Sequence, residues 1–65
     1  MKILLNGEAF ATDAKTLDEL CAWLGFAEAK VATAVNGSFV SAPSRGTTKL
    51  AEADEIEIVA PRQGG

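Results

Sequence analysis

The sequence contains no histidine and no tyrosine, so the commonest general base of enzymes is missing. Carboxylates and lysines remain, but Asp13, Asp18, Glu19 and Glu28 follow one another without forming a paired acid–base site. No side chain is a candidate catalyst, and independent enzymatic activity is not expected. The single cysteine, Cys21, cannot close an internal disulfide and cannot by itself build a zinc site. Basic residues are also scarce: six Lys and Arg stand against nine Asp and Glu, for a net charge of −3. Nucleic-acid binding through phosphate neutralisation needs a basic patch, and attachment to an anionic membrane needs a polybasic segment; neither is present. No apolar run approaches the roughly 20 residues that span a bilayer. No basic start leads through an apolar stretch to a small-residue cleavage site. A cytoplasmic location is the expectation.

What is present fits one small domain. A chain of 65 residues buries only roughly 60% of its unfolded surface on folding, so its core must be compact. Hydrophobic residues, 48% of the chain, recur at ordered spacings. Lys2-Ile3-Leu4-Leu5 is a short apolar run ended by Asn6-Gly7, the strongest two-residue hairpin signal. With those two as the turn, Leu5 pairs with Glu8, Ile3 with Phe10 and Met1 with Thr12. Ile3 and Phe10 then share one face, where a core can start.

Thr16-Leu17-Asp18-Glu19 reads as a capping box, with the Thr16 hydroxyl accepting from the Glu19 N–H and the Glu19 carboxylate reaching back to Thr16. Leu17, Leu20, Cys21 and Leu24 follow at i, i+3, i+4 and i+7, one apolar stripe on a helix that Gly25 ends. Residues 31–35 read as a strand, and Asn36-Gly37 as a second tight turn into Phe39-Val40. The stretch Ala42-Pro43-Ser44-Arg45-Gly46 reads as a loop, and Leu50 as part of a short strand. Asp54-Glu55-Ile56-Glu57-Ile58-Val59 alternates, with the isoleucines inward and the glutamates outward. The order is strand, strand, helix, then three strands. This is an α+β arrangement, a mixed sheet of four to five strands with one helix across one face.

After Val59 the pattern stops. Pro61 cannot donate to a ladder, and Gln63-Gly64-Gly65 has nothing to bury. The expected organisation is a domain over residues 1–60 and a flexible Gly-Gly tail over residues 61–65. An ordered strand that runs directly into bare glycines is an unusual way to finish a domain.

Together these residues resemble the ThiS family of thiamine-pathway sulfur carriers, which have the ubiquitin-like β-grasp fold. The likeness rests on Leu5-Asn6-Gly7-Glu8, on Thr16-Leu17-Asp18-Glu19-Leu20 with Leu24-Gly25, on Val31-Ala32-Thr33-Ala34-Val35-Asn36-Gly37, and on Ile56-Glu57-Ile58-Val59 through Gly64-Gly65. The resemblance implies that Gly65 is adenylated by a ubiquitin-activating-like adenylyltransferase and converted to a thiocarboxylate, with Gly64 its required neighbour. It further implies a sulfur donor such as a cysteine desulfurase, and a thiazole synthase that takes the sulfur to build the thiazole ring. The carrier binds no cofactor on this reading, and ATP and magnesium belong to the activating enzyme. Two places depart from the family pattern. Ala53-Asp54 stands where Gly-Asp usually opens the last strand, and Ser41-Ala42-Pro43 follows Val40 where Pro-Arg is frequent.

Other readings remain open at this point. The small subunit of molybdopterin synthase uses the same fold and the same Gly-Gly thiocarboxylate. A modifier attached to lysines would also need activation, and a plain binding module would leave Gly65 without purpose. Strand parity turns Ile3, Leu5, Val31, Val35, Ile56 and Ile58 toward the helix. It leaves Leu4, Ala32, Ala34 and Val59 on the opposite face as a candidate docking patch for the activating enzyme. Cys21, within the helix stripe, is expected to be a small core residue and not a sulfur-relay thiol. Trp23, off the stripe's centre, is expected to cover a sheet edge.

Overall fold

The computed structural model describes residues 1–26 and 30–60. The elements run β1 (Lys2–Leu5), β2 (Glu8–Ala11), α1 (Leu17–Trp23), β3 (Ala32–Val35), β4 (Ser38–Val40), a 3-10 helix (Ala42–Thr47) and β5 (Glu55–Val59). The five strands form one sheet in the order β2-β1-β5-β3-β4. The first and last strands lie parallel at its centre, and the other pairs are antiparallel.

Local chemistry sets most of this. Both hairpins turn on Asn-Gly with two left-handed residues, Asn6 and Gly7 at φ 50° and 87°, Asn36 and Gly37 at φ 51° and 84°. That is the type I′ geometry whose twist matches the flanking strands. The first hairpin takes the expected register, Leu5 opposite Glu8 and Ile3 opposite Phe10. It extends to Met1, whose carbonyl accepts from the Thr12 N–H at 2.9 Å.

Helix α1 starts at Thr16, whose hydroxyl accepts from the Glu19 N–H at 3.2 Å. The return half of the capping box differs from expectation: the Glu19 carboxylate accepts from the Lys15 N–H at 2.7 Å, not from Thr16. Thr16 forms a β-bridge with Lys49, so the chain arrives extended and the preceding N–H meets the carboxylate. At the other end the Phe26 N–H donates to the Cys21 carbonyl and the Gly25 N–H to Ala22. With Gly25 at φ 86°, this is a Schellman closure.

Two further expectations are corrected. Residues 42–47 form a 3-10 helix instead of a loop, with Pro43 near its start, where a missing N–H costs nothing. Leu50 belongs to no strand; it is buried beside the bridge, and its N–H donates to the Lys15 carbonyl.

The core lies between the sheet and α1. Ile3, Leu17, Leu20 and Ile56 are almost wholly buried, with Ala14, Cys21, Leu50 and Ile58 around them. Each buried Leu or Ile contributes about 1.5–3 kcal/mol, against a net stability of about 0.05–0.15 kcal/mol per residue. A few side chains therefore decide whether this domain folds. Thr33 is also buried, and it is polar. Its hydroxyl donates to the Val40 carbonyl at 2.7 Å and accepts from Arg45 Nε at 3.1 Å.

Ala53, at the point where the sequence departs from Gly-Asp, has φ 71°. The Asp54 N–H donates to the Ala51 carbonyl, which places Ala53 at the position of a type II turn that favours glycine. A left-handed alanine costs about 1–2 kcal/mol, and glycine's greater chain entropy returns about 0.5–1 of that. Ala53→Gly is therefore expected to stabilise the fold by up to about 1 kcal/mol, a rise of several degrees in Tm. A lower Tm by thermal denaturation would contradict the strain.

Candidate functional site

The candidate reactive residue, Gly65, and its neighbour Gly64 lie outside the described residues, as does the expected flexible tail of residues 61–65. What the structure does describe is the base from which they leave. Strand β5 pairs with β1 only through Leu4 opposite Glu55 and Leu5 opposite Ile56. There β1 turns back at Asn6-Gly7 while β5 runs on. On its other side β5 stays paired to the end, Thr33 opposite Ile58 and Ala32 opposite Val59.

The side that β1 vacates is filled by one side chain. The Asn6 carboxamide accepts from the Ile58 N–H through Oδ1 at 3.0 Å, and its Nδ2 donates to the Ile58 carbonyl at 3.1 Å. A carboxamide offers the same adjacent donor and acceptor as a peptide group. Asn6 therefore extends the sheet by one side chain after its own strand has ended. The flank on β3 is braced as well. The Arg45 guanidinium donates to the Val31 carbonyl at 2.6 Å and to Thr33 Oγ1, fixing the strand that holds Ile58 and Val59.

The outer sheet face carries the four candidate docking residues. Leu4 is 36% exposed and Val59 59% exposed, Ala32 is exposed and Ala34 half-buried. Val59 joins two shallow hollows, one lined by Leu4, Asn6, Glu55 and Glu57, the other by Ala32, Ala34 and Phe39. Sequence reasoning missed Phe39, which lies opposite Ala34 and is 73% exposed. The alternation Ser38-Phe39-Val40 carried that signal. The Glu55 and Glu57 carboxylates also rise from this face, on the central strand.

Trp23 and Cys21 lie away from this face. Trp23 is 73% exposed and lines a hollow with Met1, Phe10 and Thr12 beside β2, the edge strand, so it covers that edge only in part. As the last residue of α1, off the apolar stripe, it leaves most of its indole in solvent. Cys21 is a buried member of the core. Burial pushes its thiol pKa up, with Arg45 opposing the shift and Asp18 adding to it. The neutral thiol is the form the fold favours, so its contribution to stability is complete below the ordinary thiol pKa and fades as pH rises through the elevated one. Native Cys21 is expected to react with iodoacetamide far more slowly than the unfolded chain does. Cys21→Ala is expected to cost about 1 kcal/mol for the lost sulfur packing and to leave sulfur loading intact. Loss of loading in a folded Cys21→Ala protein would reassign the thiol. Among the described residues, no group of three or more His, Cys, Asp or Glu is placed to hold a metal ion. No helix there is long and apolar enough to cross a membrane.

The sequence profile of the ThiS family matches residues 3–65. The chain belongs to the ThiS family. That family consists of small sulfur carriers of thiamine biosynthesis, not catalysts. The crystal structure of the thiamine biosynthesis protein ThiS from Geobacter metallireducens superposes with a TM-score of 0.82 at 26% identity, covering all of both chains. An NMR solution structure of a thiamine biosynthesis protein from the same organism gives 0.81 at 23% identity, covering all of this chain and 88% of the other. The fold is thus the ubiquitin-like β-grasp that the sequence resemblance implied. A protein from Magnetococcus marinus named thiazole synthase is 47% identical over 60 residues, which make up 91% of this ThiS-family chain. The chain spans only about a fifth of that relative's length, 18%.

Proposed function

We propose that this ThiS-family chain carries sulfur as a thiocarboxylate on Gly65 and delivers it for thiazole formation. The observation that carries the reading is the family match, which runs through Gly64 and Gly65 to residue 65. The braced end of β5 adds a rigid body from which the tail departs. The thiamine assignment, over the molybdopterin alternative, is supported by the likeness to a protein named thiazole synthase.

A C-terminal carboxylate has a pKa of about 3.3–3.7, so at neutral pH it is an anion and a poor electrophile. In the proposed cycle an activating enzyme, with ATP and magnesium, brings a carboxylate oxygen onto the α-phosphorus and pyrophosphate leaves. The resulting acyl adenylate has lost its charge and gained a good leaving group. A hydrosulfide equivalent from the sulfur donor attacks the acyl carbon, AMP leaves, and a thiocarboxylate remains. Thiazole synthase takes that sulfur, an oxygen from water or from the sulfur acceptor replaces it on the acyl carbon, and the carboxylate is free for reloading. The chain is a co-substrate in the cytoplasm throughout. Gly64 and Gly65 suit the task because, without a Cβ, they allow close approach within an enzyme channel on both sides.

The test is reconstitution of thiazole formation with activating enzyme, thiazole synthase, Mg-ATP and sulfide. Thiazole is expected only when the carrier is present. A carrier that loads sulfur but passes it to a molybdopterin-synthase large subunit and not to thiazole synthase would replace the thiamine reading with the alternative.

A further inference from the structure

The two hairpins of the sheet are built alike and use their asparagines at opposite ends of the same strand. Asn6 and Asn36 occupy the same turn position at nearly the same φ. The Asn36 carboxamide accepts from the Glu55 N–H at 2.9 Å and donates to Asp54 Oδ1 at 3.0 Å, so it pins the start of β5. The Asn6 carboxamide pins Ile58, near its finish. The turn alone does not demand asparagine at either place, since glycine adopts a positive φ more readily. What glycine lacks is the carboxamide.

The contact made by Asn6 has a location that the turn does not explain. It joins residues 52 apart in sequence, and it is the pairing partner of β5 on the side β1 has left. Two residues beyond Ile58 the described chain reaches Ala60. Loss of this contact would leave the last residues of β5 held from the β3 side alone. The outer docking face, by contrast, owes its side chains to strand parity and not to this amide.

We propose that Asn6 is a positioning residue for the reaction at Gly65, acting through Ile58 to fix the point and direction from which the tail enters the activating enzyme. This rests on the proposed adenylation of Gly65. A reacting atom displaced by about 1 Å can lose on the order of a hundredfold in rate. An uncertain departure point should therefore appear in the chemical step and not in docking.

The experiment compares Asn6→Gly with Asn36→Gly in ATP-dependent pyrophosphate release by the activating enzyme, varying carrier concentration. Both changes keep the type I′ turn and remove one carboxamide, so each controls for the stability effect of the other, which Tm reports. Asn6→Gly is expected to lower kcat by roughly ten- to a hundredfold with KM nearly unchanged. Asn36→Gly is expected to leave both close to wild type, and amide exchange at Ile58 should quicken in Asn6→Gly only. An equal fall in kcat for the two variants would make the effect general loosening and overturn the proposal. A change confined to KM would make Asn6 a docking contact and overturn it too. Wild type in the same assay separates the levels: wild type that releases no pyrophosphate overturns the adenylation reading itself, whereas active wild type beside an equally active Asn6→Gly overturns only the role of Asn6.

Discussion

A chain lacking Gly65 is expected to fold with the Tm of the full sequence and to gain no sulfur. Deletion moves the terminal carboxylate back by about 3.3–3.6 Å. The attacking oxygen and the α-phosphorus must be held roughly 3–3.5 Å apart, so a one-residue shift is as large as the reacting distance itself. Gly64 would then bear the carboxylate, with the same chemistry in the wrong place. One alanine added after Gly65 should fail similarly, since the new carboxylate overshoots and brings a Cβ with it. The core members run from Ile3 to Ile58, well before the altered residue, which is why Tm is expected to hold. Gly64→Ala should fold and load poorly. Mass spectrometry of each variant after incubation with activating enzyme, Mg-ATP and sulfide reads the outcome. A folded protein without Gly65 that still gained sulfur would remove the tail from the mechanism.

The second large effect is expected on the outer sheet face. Leu4→Glu and Val59→Glu each place a carboxylate where a partner would meet an apolar side chain. An unpaired charge buried in an interface costs at least about 1.4 kcal/mol, a tenfold loss, and central contacts cost more. The expected result is a rise of at least about tenfold in the KM for adenylation, with kcat little changed. Val59 should be the more sensitive, because it joins both hollows of the face. Phe39→Ala should act in the same direction through KM. Neither glutamate enters the core, so circular dichroism and Tm should match wild type. Unaltered adenylation kinetics in both glutamate variants would exclude this face as the docking surface.

Much of the fold was legible because its determinants are local. Asn6-Gly7 and Asn36-Gly37 define two turns, and the residue count between them and the alternation of Ile56 and Ile58 define register and faces. The helix could be read from Thr16 to Gly25 for the same reason, with caps at both ends and a stripe between them. The features that could not be read depend on distant partners. Thr33 looks like any polar residue in a strand until Arg45 and the Val40 carbonyl surround it. Glu19 turned to Lys15 because Lys49 draws Thr16 into a bridge. The departure of Ala53 from glycine was visible, but its strain appears only with the φ of the folded turn. Of the site, Gly64 and Gly65 were legible as sequence, and the chemistry proposed for them rests on family likeness. The Asn6 carboxamide was not legible, since its turn role satisfies the local pattern and its contact with Ile58 crosses most of the chain.

Intact-mass analysis with fragmentation shows directly whether Gly65 carries the sulfur. The wild-type chain is incubated with activating enzyme, Mg-ATP and a sulfur source, with ATP omitted in a parallel sample. The expected result is an ATP-dependent mass gain equal to replacement of one oxygen by sulfur, carried on the fragment that ends at Gly65. Sulfur found instead as an added atom on Cys21, or no gain in the presence of ATP, would contradict it.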